Sequence, residues 1–554
     1  MDYSSSYDYN GHSITVEAGI LALAERGSIG GGVVTDDFTQ LPGASLGFVV
    51  TATGDTGALT VASEKTAYFN NGTIMVIPTA GHYAKTTTYE QVLDLSATTI
   101  DSPWSQVKST SAFLSPLLVE TGSDAEVHYS GSTQVYDLIL NRLSFSTGAV
   151  SGGNASLGGA LDGMYDGADG DMRDILDQLI VLGPGDAQKA LSEMGGGTQT
   201  AFQFLSFYGL DKYHWALNNH FNGGWFAGGS GNGMAYNQNG YPPGMQTAVA
   251  GGGNTMSDVT PILLAMAGNG GQLAAGPNWD LWVDGYYSQG NRNSDDIISK
   301  YKQTLYGALI GLDYRATDNL LIGISGGFSQ AEVKFDDLSD KGNQDSYQGS
   351  LYASYDGKPW YAAGILTYAR NAYKMDRFIT VGPITRVAHS DYNGNEYAGY
   401  AEVGYKLDLG GVLVIRPLAA FQAAYLMQDA YTETGADPLN LVVDSRNTGS
   451  YQSYLGLHIS KAITMGNFVL TPDVRAKWAH EFSPDDHLIN AMFSGSGSGS
   501  FTVAADRPSR ETAIVGVGLT GRFNKNLSMY IQYDAELNSD YTNHTGMMGL
   551  RFSW

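Results

Sequence analysis

The sequence predicts an all-β protein whose C-terminal half is a closed barrel of twelve antiparallel strands, preceded by a strand-rich stub and a short helical linker. Three observations carry this. From residue 278 to 554, segments of roughly 10 to 15 residues alternate apolar and polar side chains between Gly/Asp/Asn-rich loops. In several of them one face carries an aromatic residue at each end, eight positions apart. The chain also finishes in GLRFSW, residues 549 to 554, with Leu550, Phe552 and Trp554 on one side of an extended backbone. C-termini are ordinarily frayed and hydrophilic, so an apolar ending points to a strand that must be there.

Composition narrows the class. At 554 residues the chain has room for two or three domains. With 43% apolar and 11% aromatic residues it has ample surface to bury, which excludes a disordered protein. A net charge of −25 argues against a nucleic-acid partner, because phosphates are repelled. The absence of cysteine excludes disulfides and thiolate metal sites. No apolar run reaches the ~18 residues of a spanning helix. Transmembrane strands give a much weaker hydropathy signal, so strand patterning has to decide the membrane question. The opening MDYSSSYDYNG has neither the basic start nor the apolar stretch of a signal peptide, so any targeting segment is expected upstream of this sequence.

Four zones follow. Residues 1–147 are short Val/Ile/Thr/Tyr runs such as GTIMVIPTAGHY, TTTYEQVLDLSATTI and VYDLILNRLSF, spaced closely enough for the coils of a solenoid. Residues 148–254 change to helix and linker. RDILDQLIVLG sets Ile175, Leu176, Leu179, Ile180 and Leu182 at helical spacing before Gly183-Pro184, and DAQKALSEMGGG gives a second helix with a glycine exit. GGWFAGGSGNG and VAGGGNT have flexible-linker composition. Residues 255–277 contain MSDVTPILLAMAG, where Met256, Ile262, Leu263 and Met266 form one side of a candidate helix. The barrel occupies 278–554.

The twelve barrel strands are expected to begin near Trp279, Tyr301, Leu320, Ser346, Trp360, Asn395, Leu413, Ser450, Phe468, Arg510, Asn526 and Tyr541. An even number is what a single-chain bacterial outer-membrane barrel requires. The aromatic pairs are Trp279 and Tyr287, Tyr306 and Tyr314, Tyr347 and Tyr355, and Tyr397 and Tyr405. Eight positions at about 3.3 Å span roughly 26 Å. A tilt of about 40° reduces this to about 20 Å, close to the ~25 Å apolar band of such barrels. Tyr and Trp favour the lipid–water boundary because one end of the ring is dry and the other wet. The opposite faces carry Asp280, Asp284, Asp313, Ser350, Ser354 and Glu402, which a polar lumen tolerates and lipid does not. Leu305 and Leu309 share that inner face and are expected to pack on whatever fills the pore. A soluble β-sandwich would give the alternation without the fixed aromatic interval.

The order of these zones resembles the type V autotransporters. GTIMVIPTAGHY, TTTYEQVLDL, SAFLSPLLVETGS and VYDLILNRLSF resemble the last rungs of a pertactin-like passenger. ALDGMYDGADGDMRDILDQLIVLGPGDAQKALSEM resembles the helical segment before the barrel. WDLWVDGYYSQG and YGALIGLDYRATDNLLIGISGGFS resemble the opening barrel strands. Gly549, Leu550, Phe552 and Trp554 resemble the β-signal that such barrels present for assembly, with Met547 standing where a polar residue is usual. The resemblance implies a right-handed β-helix stub, a lumen plug (here Met256, Ile262, Leu263 and Met266) and a monomeric barrel in outer-membrane lipid. It also implies the barrel-assembly machinery and periplasmic chaperones as partners, with the passenger on the cell surface. The function implied is translocation and display of the chain's own N-terminal part, not catalysis, and no cofactor is expected. The alternatives are a porin-like channel with an accessory domain and a surface-displayed hydrolase.

The catalytic and metal motifs are weak. GISGG, residues 323 to 327, satisfies G-x-S-x-G but sits in an alternating strand rather than a strand-to-helix elbow. DGMYDGADGDMRD misses the calcium-loop pattern and reads as a solvated loop. His214 and His220 are six apart, the wrong spacing for a helical zinc pair. Asn218-Asn219 resembles an intrapore cleavage junction, but its distance from Trp279 predicts a place outside the lumen.

Overall fold

The computed structural model describes residues 12–24, 33–96, 98–121, 135–148, 154–222, 279–293, 299–357, 359–410, 413–466, 468–483, 487–495, 499–505, 509–523 and 526–553. Twelve strands form the barrel wall: Trp279–Arg292, Tyr301–Arg315, Leu320–Phe335, Lys341–Asp356, Trp360–Val381, Ile384–Tyr405, Val414–Gln428, Arg446–Ser460, Phe468–Glu481, Glu511–Arg522, Leu527–Leu537 and Tyr541–Ser553. Each is antiparallel to its neighbours in sequence. The first closes on the last, with Leu281 opposite Phe552 and Val283 opposite Leu550.

Burial alternates residue by residue along the wall, as a closed sheet with unlike faces demands. In Lys341–Asp356, Tyr347, Leu351 and Tyr355 point out, while Ser346, Ser350, Tyr352 and Ser354 are buried inside. The fourth and sixth strands start earlier than the sequence suggests, at Lys341 and Ile384 rather than near Ser346 and Asn395. Their first residues, KGNQD and ITRVAHSDYNG, carry few apolar side chains and so read as loop. Their backbone is nonetheless paired: Lys341 lies opposite Asp376, and Val387 opposite Phe378. The fifth and sixth strands, 22 residues each, form a hairpin turning at Gly382, whose φ of 57° favours glycine. Loop segments beyond the wall pair into a small sheet of Tyr431–Thr432, Leu441–Val443, His487–Phe493 and Phe501–Ala505.

Lumen-facing aromatics lie flat over glycines directly across the strand pair. Trp282 covers Gly311, Tyr352 covers Gly323 and Tyr361 covers Gly404. A Cβ at any of the three would overlap the ring above it.

The N-terminal strands pair differently. Ile14–Val16, Phe38–Gln40, Thr66–Tyr68 and Thr99–Ser102 form one parallel sheet, each strand joined to the one three places on. Ile20–Leu23, Ser45–Val50, Thr73–Pro78 and Gln106–Ser109 form a second. Val33–Thr35, Leu59–Val61 and Thr86–Asp94 form a third, which Val135–Arg142 and Leu114–Glu120 extend in antiparallel fashion. Between these sheets runs a line of buried rings. Phe38, Phe69, Trp104 and Tyr136 follow one another with centroids 5.4, 5.3 and 5.3 Å apart. Such contacts add about 0.5–1.5 kcal/mol each beyond area burial.

Gly323→Val is expected to drive Tyr352 from its rotamer and to destabilise the barrel by about 1–3 kcal/mol. The temperature at which the folded band is lost in unboiled SDS gels should fall accordingly, while Gly285→Ala, whose Cβ would meet only the Gly307 carbonyl at 3.7 Å, should leave it unchanged.

Candidate functional site

Three helices lie beside the N-terminal sheets: Ala155–Tyr165, Gly170–Leu179 and Pro184–Gly195. Tyr165 joins them to the segment before Thr86–Asp94 and to Val135–Arg142. Its hydroxyl accepts the Tyr83 N–H at 3.0 Å, His82 stacks on its ring at 4.6 Å, and the Arg142 guanidinium sits 4.1 Å above it. Arg142 also donates to Asp166 at 2.9 Å, and that hydrogen bond holds the Asp166 carboxyl below the usual carboxylate range. Burial lowers the His82 pKa, and the nearby Arg173 and Arg142 cations act in the same direction. The third helix has Pro184 in its first turn and stops at Gly196, where φ is 70°.

From Gly197 the chain turns into Ala201–Asn222, a helix that runs down the inside of the barrel. It enters at the long-loop end, where Thr198 donates to Asp340 at 2.7 Å and Gln199 to Ser390 at 3.0 Å. Lower down, Ser206 lies 2.9 Å from the Tyr373 hydroxyl and Tyr208 bonds Ser288. At mid-depth Lys212 pairs with Glu536, both side chains almost wholly buried, and its ammonium lies 3.9 Å from the Trp215 ring centroid. Tyr213 meets Ser325 at 2.8 Å, and His214 bridges Gln422 at 2.7 Å and Thr367 at 2.9 Å. Near the other end, Asn218 donates to Glu402 at 2.9 Å and Tyr400 at 3.1 Å. His220 Nε2 lies 2.6 Å from Asp313, which also accepts from Tyr352 at 2.6 Å and Trp282 at 3.2 Å. One helix, about 10–12 Å across with its side chains, thus meets polar partners on many sides of the wall.

The candidate plug residues Met256, Ile262, Leu263 and Met266 lie outside the described residues. The helix described in the lumen is Ala201–Asn222, which lies within the 148–254 linker zone rather than in 255–277. The expectation that Asn218-Asn219 stays outside the pore is overturned: both are in it, Asn219 with its amide 3.4 Å from the Met547 sulfur. The 56 residues between this helix and Trp279 do not hold it away from the first strand, because His220 stacks on Trp282 at 4.3 Å. The helix escapes sequence reading because its apolar side chains are not gathered on one face; it is buried all round, in a lumen that is itself polar. The available signal was a 22-residue run without proline and with Gly209 as its sole glycine. Leu305 and Leu309 are buried beneath it, with Leu305 3.9 Å from the point a Cβ on Gly209 would occupy.

Of the predicted aromatics, Tyr287, Tyr306, Tyr314, Tyr347, Tyr355 and Tyr397 are exposed on the outer wall, while Trp279 and Tyr405 are half-buried there. They fall at two heights. Trp279 packs on Tyr314 at 4.8 Å and Tyr405 on Trp360 at 4.7 Å, near the chain-terminal end. Higher up, Tyr287 lies opposite Tyr306, Tyr347 packs on Phe328 at 5.2 Å and Tyr397 on Tyr368 at 5.3 Å. Between the two heights the outer wall shows Ile310, Ile324, Leu351, Leu366, Val403 and Leu550. On the last strand Leu550 faces out, Phe552 is half-buried, and Gly549 faces in against Asp284 and Tyr530; Trp554 lies outside the described residues.

The catalytic motifs dissolve into structure. Ser325 of GISGG stands in mid-strand, bonded to Tyr213. Asp162 accepts the Phe145 N–H, and Asp171 pairs with Arg386 at 3.0 Å. Among the described residues no group of three or more His, Asp or Glu side chains is placed to hold a metal ion.

A closed twelve-stranded wall, apolar outside between two aromatic levels and polar inside around a helix of the same chain, defines a helix-filled outer-membrane β-barrel. Residues 281–534 match the family described as autotransporter beta-domain. The C-terminal half of this chain is an autotransporter β-domain, a barrel closed by a single chain and set in outer-membrane lipid. Outer membrane protein A of Rickettsia conorii is 26% identical over 322 residues, covering 54% of this chain and 16% of that protein. Outer membrane protein B of Rickettsia rickettsii is 23% identical over 288 residues, covering 50% of this chain and 17% of its own length. The chain therefore spans about a sixth of the length of the curated relatives it matches. The translocator domain of the autotransporter NalP from Neisseria meningitidis aligns with 50% of this chain and 90% of its own, at 18% identity and a TM-score of 0.41.

Lys212→Met leaves Glu536 buried without its cation and is expected to cost about 3–5 kcal/mol. Thermal unfolding of the purified barrel should report that loss. Lys212→Met combined with Glu536→Leu should recover part of it, because the buried Glu536 charge is removed together with its partner.

Proposed function

We propose that this chain is the C-terminal portion of an autotransporter whose barrel carries its own N-terminal part to the cell surface. The observation that carries the reading is the path of Ala201–Asn222. One continuous chain leaves the coil-and-helix zone, enters the barrel at the long-loop end and runs to the level of Asp313. That is the arrangement expected of a polypeptide that has been exported through the pore and whose tail remains in it.

In this reading residues 1–147 are the end of a right-handed β-helical passenger. The parallel pairing of every third strand supports it, because coils of that kind can be added one upon another as the chain emerges. Residues 148–254 are the linker, with its last helical part in the lumen. The two levels of Tyr and Trp are the girdles at the lipid boundaries. Gly549, Leu550, Phe552 and Trp554 are the signal that the barrel-assembly machinery reads, after delivery by periplasmic chaperones. The role is secretion and display, not catalysis, and the lumen's filled cross-section opposes a porin-like channel.

The test is made on intact cells producing the full chain. Protease added outside should cut an epitope placed in the loop between Gln40 and Ser45, while the barrel stays folded by gel mobility. An epitope that becomes accessible only after the cells are broken would defeat the reading. In planar bilayers the intact chain should conduct poorly, and deletion of residues 201–222 should raise the conductance severalfold. A high conductance from the intact chain would favour the porin-like alternative.

A further inference from the structure

Among the described residues outside the membrane wall, one ion pair is completely buried. Arg377, on the projecting part of the fifth strand, pairs with Glu433, which directly follows strand Tyr431–Thr432 of the loop sheet, and both side chains have no solvent contact. The guanidinium carries five N–H donors, and each has a partner. Nε donates to Glu433 at 3.1 Å, and Nη2 donates to Glu433 and to the Leu439 carbonyl at 2.9 Å. Nη1 donates to the carbonyls of Glu193 at 2.6 Å and Met194 at 3.2 Å. These last two acceptors belong to the carbonyl end of helix Pro184–Gly195, where the final C=O groups have no partner within the helix.

The loops of the barrel therefore supply three of the five partners, and the linker helix supplies the other two. Neither side is complete alone. Without the helix, a buried guanidinium keeps two N–H groups unpaired; without Arg377, a buried helix end keeps its carbonyls unpaired. Neighbouring contacts take the same two sides. Glu193 accepts the Thr380 N–H at 2.7 Å, Gln199 reaches Glu433 at 3.4 Å, and a Cβ on the left-handed Gly196 would come 2.7 Å from the Leu441 side chain. The chain turns from the outer helices into the lumen at this point.

We propose that Arg377 and Glu433 form a docking latch in the barrel's outer loops. The latch is completed only by the folded carbonyl end of helix Pro184–Gly195, so that the barrel holds its exported chain at one fixed register. This rests on the export reading. During passage no helix end is present, and the loop face stays incomplete. When residues up to Gly196 have emerged and coiled, the two carbonyls reach Nη1 and the chain stops there.

The experiment compares wild type, Arg377→Met and Gly196→Val as full chains in detergent, by amide hydrogen exchange. In wild type, residues 186–195 and 203–220 should both be protected. In Arg377→Met, exchange over 186–195 should quicken by roughly tenfold or more while 203–220 stays slow, since a segment opens locally once the bonds that dock it are removed. Gly196→Val changes only the linker, so it reads the latch even if Arg377→Met fails to form a barrel. Its Cβ would strike Leu441, and the same selective loss is expected. Unchanged protection of 186–195 in both variants overturns the latch, and so does an equal quickening of both segments. The epitope assay on intact cells keeps the two proposals apart. An accessible wild-type epitope with unchanged exchange sinks the latch alone, while an inaccessible one sinks the export reading.

Discussion

Everything in the barrel follows from the rule that a backbone crossing lipid must find all its hydrogen-bond partners within itself. A sheet meets that rule only if it has no edge, so the first strand must pair with the last over its full length. Trp279–Arg292 and Tyr541–Ser553 do so from Asp280 opposite Ser553 to Arg292 opposite Tyr541. Closure then forces the two faces of every strand into different media. The outer face meets lipid and carries Ile310, Leu351, Leu366 and Val403. The inner face encloses a space too wide for barrel side chains alone and lined by Asp280, Asp284, Asp313, Glu396 and Glu402. A wall of that kind needs something polar within it.

The lumen helix answers that need with donors and acceptors on all sides. Lys212 meets Glu536, Asn218 meets Glu402 and His220 meets Asp313, so three acids that would be costly to bury alone gain partners from the helix. The wall makes room by the same economy. Trp282, Tyr352 and Tyr361 lie against glycines of the neighbouring strand instead of projecting, which keeps large rings flat to the sheet and leaves the axis to the helix.

What could be read from the sequence divides along the same physical line. Strands with one face in lipid and one in the lumen alternate strongly, and Trp279, Tyr301, Leu320, Trp360, Phe468 and Tyr541 begin where the pattern says. Where the wall rises beyond the lipid the alternation fades, so the first residues of Lys341–Asp356 and Ile384–Tyr405 read as loops although they are paired. The lumen helix was hidden for a related reason. Helix periodicity is a signal of two unlike surroundings, and Ala201–Asn222 has one surrounding on every side. The helices at Gly170–Leu179 and Pro184–Gly195 lie between a core and solvent, and both were legible.

The polar character of the lumen also bears on how one pore can pass a chain and then keep part of it. An apolar lining would hold any unfolded segment by its hydrophobic side chains, with little regard for sequence. A lining of serines, glutamines, tyrosines and acids stays wet while an arbitrary segment passes, since water satisfies its groups as well as the passing chain does. Retention then demands a segment that replaces those waters group for group. Ala201–Asn222 places Ser206, Lys212, His214, Asn218 and His220 at successive depths opposite Tyr373, Glu536, Gln422, Glu402 and Asp313. Directional bonds of this kind are worth little singly, about 1 kcal/mol net each. Their value lies in register: a shift of one helical turn, ~5.4 Å, would misalign all of them together. On the export reading, specificity for the final segment comes from this matching, and it requires no gate.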